Sequence, residues 1–179
     1  MPRLVAFLRA VNVGSRTVKM EALRAAFEAM GLTNVHTFIA SGNVVFDSNA
    51  RDLAALERKI EAQLQAVFGF EIDNFVRTLA EIAALAADTA FEADTVRTRT
   101  QVVGFLREAP GPEVHATLQR MSTDVDRLRA QGRELFWHSS NSQADSTFSN
   151  AAFERALKLR TTFRGIATLR KLVVKHHEA

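Results

Sequence analysis

The chain has no cysteine, no tyrosine, one tryptophan and three prolines among its 179 residues. The absence of cysteine excludes a disulfide framework, a thiolate nucleophile and a thiolate metal site. No apolar run approaches the roughly 18 residues a membrane helix needs, and the opening run from Leu4 to Leu8 is halted by Arg9, too short for the core of a secretion signal. The expectation is a cytoplasmic protein that does not enter a membrane. What is present is ordinary for a globular chain: 47% hydrophobic and 24% charged residues, enough to build a core and too apolar for disorder.

Charge is unevenly placed. The net charge is +3, yet residues 155–177 carry seven Lys and Arg and no acid, while everything before them is slightly acidic. A local basic stripe attracts anions more strongly than the same charge spread evenly. Arg164, Lys171 and Lys175 recur in it at helical spacing, which would serve a nucleic acid or an acidic partner.

The first third alternates readable elements. Leu4 to Arg9 reads as a buried strand, followed by Asn12-Val13-Gly14-Ser15-Arg16 as punctuation. Met20, Leu23, Phe27 and Met30 form the apolar face of a helix starting near Lys19 and closed by Gly31. Val35 to Ala40 and Val44 to Asp47 flank Ser41-Gly42-Asn43 as a hairpin. A second helix begins after Ser48 or Asn49, with Asp52 in its first turn, buries Leu53, Leu56, Ile60, Leu64 and Val67, and ends at Gly69; Ile72 to Arg77 follows as a strand. That order is the split βαβ, or ferredoxin-like, arrangement, with two helices on one face of a four-stranded sheet.

The second half repeats the plan. After a linking helix opened by the capping box Thr78-Leu79-Ala80-Glu81 and a loop from Ala90 to Arg99, Val102-Val103-Gly104-Phe105-Leu106-Arg107 echoes Leu4-Val5-Ala6-Phe7-Leu8-Arg9. Pro110-Gly111-Pro112 introduces a helix, Val125 to Arg129 and Glu134 to His138 form a second hairpin, and Phe148 to Leu159 is helical. The expectation is an α+β protein of two related βαββα-type halves, residues 1–78 and residues 79–179, the second ending in a basic helix, with helices packed on antiparallel or mixed sheets.

Leu8-Arg9-Ala10-Val11-Asn12-Val13-Gly14 with Lys19-Met20 and Leu23, and then Ser41-Gly42-Asn43-Val44-Val45-Phe46, resemble the opening of the bacterial family called domain of unknown function 1697. Ser146-Thr147-Phe148-Ser149-Asn150-Ala151 and the closing Thr162, Arg164, Thr168, Lys171 and Leu172 are similar to its downstream pattern, which continues with Asn-Trp where this chain has Gly165-Ile166. The resemblance implies a small cytoplasmic bacterial α+β protein and carries no activity with it.

The loop from Asn12 to Arg16 lies between a strand and a helix N-terminus, where free amides and the positive dipole end favour an anion and Ser15 and Arg16 add donors. It has one glycine and lacks the lysine of a phosphate-binding P-loop. Ser41, Gly42 and Asn43 would stand near it if their strands are neighbours. A triad from Ser41, His36 and Asp47 fails because alternate strand residues face opposite sides. His36, His115 and His138 are isolated and His176 and His177 diverge on a helix, so no metal site is expected. The split βαβ order is shared with RRM domains, but the chain lacks their paired stacking aromatics. No motif requires a cofactor. The leading expectation is a non-catalytic binding protein for a phosphate- or carboxylate-bearing ligand, using Arg9, Asn12, Gly14, Ser15, Arg16, Ser41, Gly42 and Asn43. The alternative is a nucleic-acid or acidic-partner adaptor using the basic stripe, and the third is an enzyme on an anionic substrate.

Overall fold

A computed structural model describes residues 1–39, 42–87 and 98–177, with His177 described by its backbone alone. The chain divides into two compact units, Met1–Ile82 and Ala83–Ala179.

The first unit is built from strands β1 (Arg3–Leu8), β2 (Thr33–Phe38), β3 (Asn43–Asp47) and β4 (Asn74–Thr78) with helices α1 (Met20–Glu28) and α2 (Leu53–Phe68). The sheet order is β2-β3-β1-β4, antiparallel throughout. This is consistent with a split βαβ arrangement. Leu4, Ala6 and Leu8 alternate onto one face of β1 and join Val44, Phe46 and Val76 in a core completed by Leu23 and Phe27 of α1 and Leu56, Ile60 and Leu64 of α2. Both helices therefore lie on one face. Asp52 caps α2 by accepting from the Ala55 amide at 2.9 Å, and Gly69 ends it in the left-handed region at φ 80°. The other face is buried too, with Val5, Phe7, Val45 and Phe75 at most 1% exposed and Arg77 fully covered beside them.

β4 is an edge strand, and an open edge invites foreign strands. The Arg9 amide bonds the Asp73 carbonyl, which sets the alternation, so that the amides of Asn74, Val76 and Thr78 turn away from β1. Each donates to a glutamate: Asn74 to Glu61 at 3.2 Å, Val76 to Glu57 at 2.7 Å, Thr78 to Glu81 at 2.7 Å. The last closes the expected capping box, since the Glu81 amide returns a bond to the Thr78 hydroxyl at the start of α3 (Leu79–Ala87).

The second unit holds β5 (Thr100–Phe105), α4 (Pro112–Met121), β6 (Asp126–Gln131), β7 (Glu134–Ser139), α5 (Asn150–Leu157), β8 (Thr162–Gly165) and α6 (Ile166–His177). Its sheet order, β6-β7-β5-β8, repeats the first, again antiparallel. The repeat extends to the register. Val5 stands opposite Val45 and Arg77, while Val103 stands opposite Phe136 and Arg164. Leu8 donates to the Gly42 carbonyl as Leu106 does to that of Arg133, and Glu154 accepts from the Thr161 amide at 3.0 Å where Glu61 serves Asn74. The six-letter echo between Leu4 to Arg9 and Val102 to Arg107 is thus one alignment of two similar halves. Within the second core, Trp137 packs edge-on against Phe148 at 5.7 Å and near Phe153, and Gly104 leaves room for Phe163.

Two expectations need correction. Residues 162–165 form the strand β8, so Arg164 does not share a helix with Lys171 and Lys175, whose helical spacing had suggested one. The expected helix from Phe148 begins at Asn150, because Ser149 caps it by accepting from the Ala152 amide at 3.1 Å. Gly165-Ile166, where the family pattern has Asn-Trp, is the junction from β8 into α6. The expected loop from Ala90 to Arg99 falls mostly outside the described residues.

Candidate functional site

The two halves supply an internal control on loop length. Between Leu8 and the first residue of α1 lie eleven residues, 9–19, but between the equivalent Leu106 and Pro112 only five, 107–111. The hairpin link is four residues, 39–42, against two, 132–133. Both extensions sit at the same end of the first sheet, since β1 ends where the β2 to β3 link begins. A frame that closes without the extra chain does not need it for folding, and loops on a rigid frame are where binding residues concentrate.

Loop 9–19 has an unusual backbone. Ala10, Asn12 and Gly14 take positive φ of 55°, 57° and 63°, while Val11 and Val13 between them do not. Where left-handed residues alternate with right-handed ones, successive amides turn toward one concave side that receives anions. The loop is tied internally: the Asn12 side-chain oxygen accepts from the Val18 amide at 2.8 Å, and the Arg16 amide donates to the Val13 carbonyl at 3.3 Å. Through its side-chain oxygen Asn12 thus staples the loop. Gly14 is needed for its positive φ alone, because no atom lies within 4 Å of where a Cβ would stand.

At the end of loop 9–19, Lys19 is the N-cap of α1 and makes no side-chain cap bond, so the first-turn amides keep their positive end open beside the exposed Glu21. Arg16 is exposed, its guanidinium 5.1 Å from the centre of the Phe70 ring. Arg9 is half-buried and its Nη1 lies 3.6 Å from Asp73 Oδ2, a pairing that fixes its position at the top of β1. Phe70 and Asp73 stand outside the residues expected from the sequence. A signal for Asp73 existed, since β1 and β4 are neighbours in the split βαβ order and an acid opening β4 faces a base closing β1.

Gly42 and Asn43 are structural supports. A Cβ at Gly42 would stand 2.4 Å from Val11 Cγ2 and 3.0 Å from Leu8 Cβ, so the hairpin link packs directly on loop 9–19. Asn43 is fully buried and its amide nitrogen donates to the Phe38 carbonyl at 2.8 Å, closing the link. Ser41 lies outside the described residues. Ile39 at the link is 52% exposed with φ 61°, a rare conformation for a β-branched residue.

The basic stripe is taken apart by the structure. Arg164 projects from strand β8, not from a helix, and is 8% exposed, with Nη1 donating to Thr162 Oγ1 at 2.8 Å and to the Phe163 carbonyl. Burial pulls its guanidinium down to about 10, still protonated at neutral pH. Arg170 donates from Nε to the Ala86 carbonyl at 3.1 Å, bonding one of the last carbonyls of α3. Lys171 and Lys175 remain exposed on α6, so less charge faces a nucleic-acid backbone than the sequence count implied. Asp47, already set aside as a triad member, accepts from Arg3 Nε at 2.9 Å and Asn34 Nδ2 at 2.7 Å, and the Arg3 bond first of all holds its carboxyl below the usual range. Among the described residues no cluster of three His, Asp or Glu is placed to hold a metal ion.

The family described as Protein of unknown function (DUF1697) matches residues 1–136. The chain belongs to the DUF1697 family. That match covers the whole first unit and the second as far as β7, so the extended loop 9–19 and the hairpin link both lie inside it. Among solved structures, the conserved bacterial protein SP0830 from Streptococcus pneumoniae is similar over 98% of both chains, with 24% identity and a TM-score of 0.72, which shows that the two share a fold. The sequence has no match among curated proteins. No helix among the described residues of this DUF1697 chain is long and apolar enough to cross a membrane.

Proposed function

We propose that this DUF1697 protein is a non-catalytic binding protein whose loop 9–19 receives the phosphate or carboxylate of a ligand. The observation that carries this reading is the alternation of positive φ at Ala10, Asn12 and Gly14, in a loop six residues longer than its counterpart in the other half. Backbone amides from Val11 to Ser15 supply the donors, with the Ser15 hydroxyl and the Arg16 guanidinium at the rim. Arg9 adds positive charge at the base of the loop. Gly42 and Asn43 hold the hairpin link against Val11, and with it the shape of the concavity.

A thermal-shift screen of nucleotides, sugar phosphates and carboxylates tests this, because a ligand that binds only the folded state raises its melting temperature. Arg16→Ala removes an exposed side chain and is expected to change stability by no more than about 0.5 to 1 kcal/mol, the loss of its contact with Phe70 included. The same substitution is expected to abolish the shift. A hit that survives unchanged in Arg16→Ala and in Gly14→Ala argues for a site elsewhere. Glu21→Gln, which removes the acid from the first turn of α1, is expected to strengthen the hit.

A further inference from the structure

We infer that the groove between α4 and the edge strand β6 receives a short extended peptide in which acidic and apolar residues alternate. The groove belongs to the second unit, and nothing in it draws on loop 9–19. A cavity of about 430 Å³ lies there, within the range of ligand pockets. Leu118 of α4 with Leu128 and Ala130 of β6 gives it an apolar floor, and the ionisable side chains that line it are His115, Arg127 and Arg129, with no carboxylate among them. His115 and Arg127 are exposed and make no side-chain bond among the described residues. Arg129 lies across the Phe136 ring at 4.3 Å and donates from Nη1 to Gln131 Oε1 at 2.7 Å, contacts that keep its charge beside the strand. The acid of β6, Asp126, accepts from Trp137 Nε1 at 2.8 Å and does not line the groove. The charge of the lining therefore complements an acidic occupant.

The backbone of the strand narrows the occupant to a peptide. The Ser140 amide bonds the Val125 carbonyl, which sets the alternation, so that the N–H and C=O groups of Asp126, Leu128 and Ala130 turn away from β7. The two residues that follow α4 close the first two positions. The Thr123 amide donates to the Asp126 carbonyl at 2.7 Å while its hydroxyl accepts from the Asp126 amide at 3.0 Å, and the Ser122 hydroxyl meets both groups of Leu128, at 3.0 and 3.3 Å. Ala130 has no such partner among the described residues, although it is half-buried and lines the cavity. In the first sheet, by contrast, each outward amide of β4 meets a glutamate. An amide and a carbonyl left facing a groove are what an added strand pairs with. The peptide residue opposite Ala130 would share its face, over Leu118 and Leu128, while the flanking residues would stand on the face of Arg127 and Arg129, so alternate apolar and acidic side chains suit the two sides. The bonds from Ser122 to Leu128 end the pairing there, which makes the occupant short. A phosphodiester backbone has no donor for the Ala130 carbonyl, and two β6 edges laid together would set Arg127 and Arg129 against their own copies, so neither a nucleic acid nor a second chain fits as well.

The probe is the capped hexapeptide acetyl-Glu-Val-Glu-Val-Glu-Val-amide, with the same peptide carrying Lys for Glu as its control, titrated into the whole protein and read by affinity and by amide hydrogen exchange. The acidic peptide is expected to bind about tenfold more tightly than the basic one, and saturation with it to slow exchange of the Ala130 amide about tenfold. Arg127→Ala removes an exposed side chain without a bond and is expected to weaken binding about threefold. Ala130→Pro removes an N–H that lies outside the ladder and is expected to weaken it about tenfold in a protein whose circular dichroism is unchanged. If the acidic peptide does not bind, or binds no better than the basic one, the groove is not a site for it. If it binds while the Ala130 amide exchanges as before, or with the same affinity in Arg127→Ala as in the native chain, it sits elsewhere and the assignment is wrong even where Ala130→Pro fails to fold. Protection of Ala130 that rises with protein concentration alone would make a second copy the occupant, and a hexathymidylate that displaces the peptide and binds more tightly would make it a nucleic acid; either result overturns the assignment.

Discussion

Gly42→Ala is expected to cost about 3 kcal/mol of stability, while Gly14→Ala, at a residue of similar φ, costs about 1. Both substitutions place a Cβ on a backbone in the left-handed region, at φ 79° and 63°, and share that penalty of roughly 1 to 2 kcal/mol. They differ in what the methyl meets. At Gly14 nothing lies within 4 Å, whereas at Gly42 the new atom would stand 2.4 Å from Val11 Cγ2 and 3.0 Å from Leu8 Cβ. Val11 can turn its side chain aside, but Leu8 Cβ is fixed to the backbone of β1, and overpacking of this kind costs about 1 to 3 kcal/mol more. Urea unfolding followed by circular dichroism separates the two. Because Val11 belongs to the proposed anion-binding loop, Gly42→Ala is also expected to weaken anion binding in molecules that remain folded. Equal midpoints for the two variants would mean that the hairpin link does not press on the loop.

A second large loss is expected at Glu57. Its side chain is 1% exposed, and Oε1 accepts the Val76 amide at 2.7 Å on the outer edge of β4. Glu57→Ala leaves that buried donor without its carboxylate and opens space between α2 and the strand. Orphaning a buried donor costs about 1 to 3 kcal/mol, and the lost packing adds to it, for an expected total of about 2 to 4. Glu57→Gln keeps an acceptor oxygen at the same reach and is expected to lose about half as much. The comparison of the two in urea isolates the role of the acceptor. A Gln variant as unstable as the Ala variant would show that the bond to Val76 is not what Glu57 contributes.

Much of the first unit was legible because its signals are local. A strand run ending at Leu8, a helix face at Leu23 and Phe27, an Asp52 cap and a Gly69 terminator each follow from the conformational habits of single residues or from helical spacing. β8 was not legible for the opposite reason. Thr162, Phe163, Arg164 and Gly165 form a strand because β5 offers them an edge, and a four-residue segment with a central arginine has no period of its own. Pressing the duplication further would have found it, since a second half that copies the first must have a fourth strand after α5. Arg164 misled the charge count because a guanidinium on a buried sheet face is a tertiary fact, and Arg77 occupies the equivalent place in the first sheet.

The candidate site was legible as a location and only partly as a mechanism. Gly and Asn in the loop from Asn12 to Arg16 announced left-handed backbone, and Asn12 and Gly14 both adopt it; Ala10 just before them does so without such a signal. That Asn12 spends its oxygen on Val18, and that Phe70 lies under Arg16, depend on chain folded back from elsewhere and leave no mark in the motif.

In the proposed function, backbone amides of loop 9–19 bind an anionic group. Titration of the isotope-labelled protein with inorganic phosphate, followed through its amide resonances, addresses those atoms directly. Saturable shifts concentrated on the amides of Val11, Asn12, Val13, Gly14 and Ser15, reduced at least tenfold in affinity by Arg16→Ala, are the predicted result. Shifts that are absent from these amides, or that gather on α6 around Lys171 and Lys175 and vanish with added salt, would contradict it.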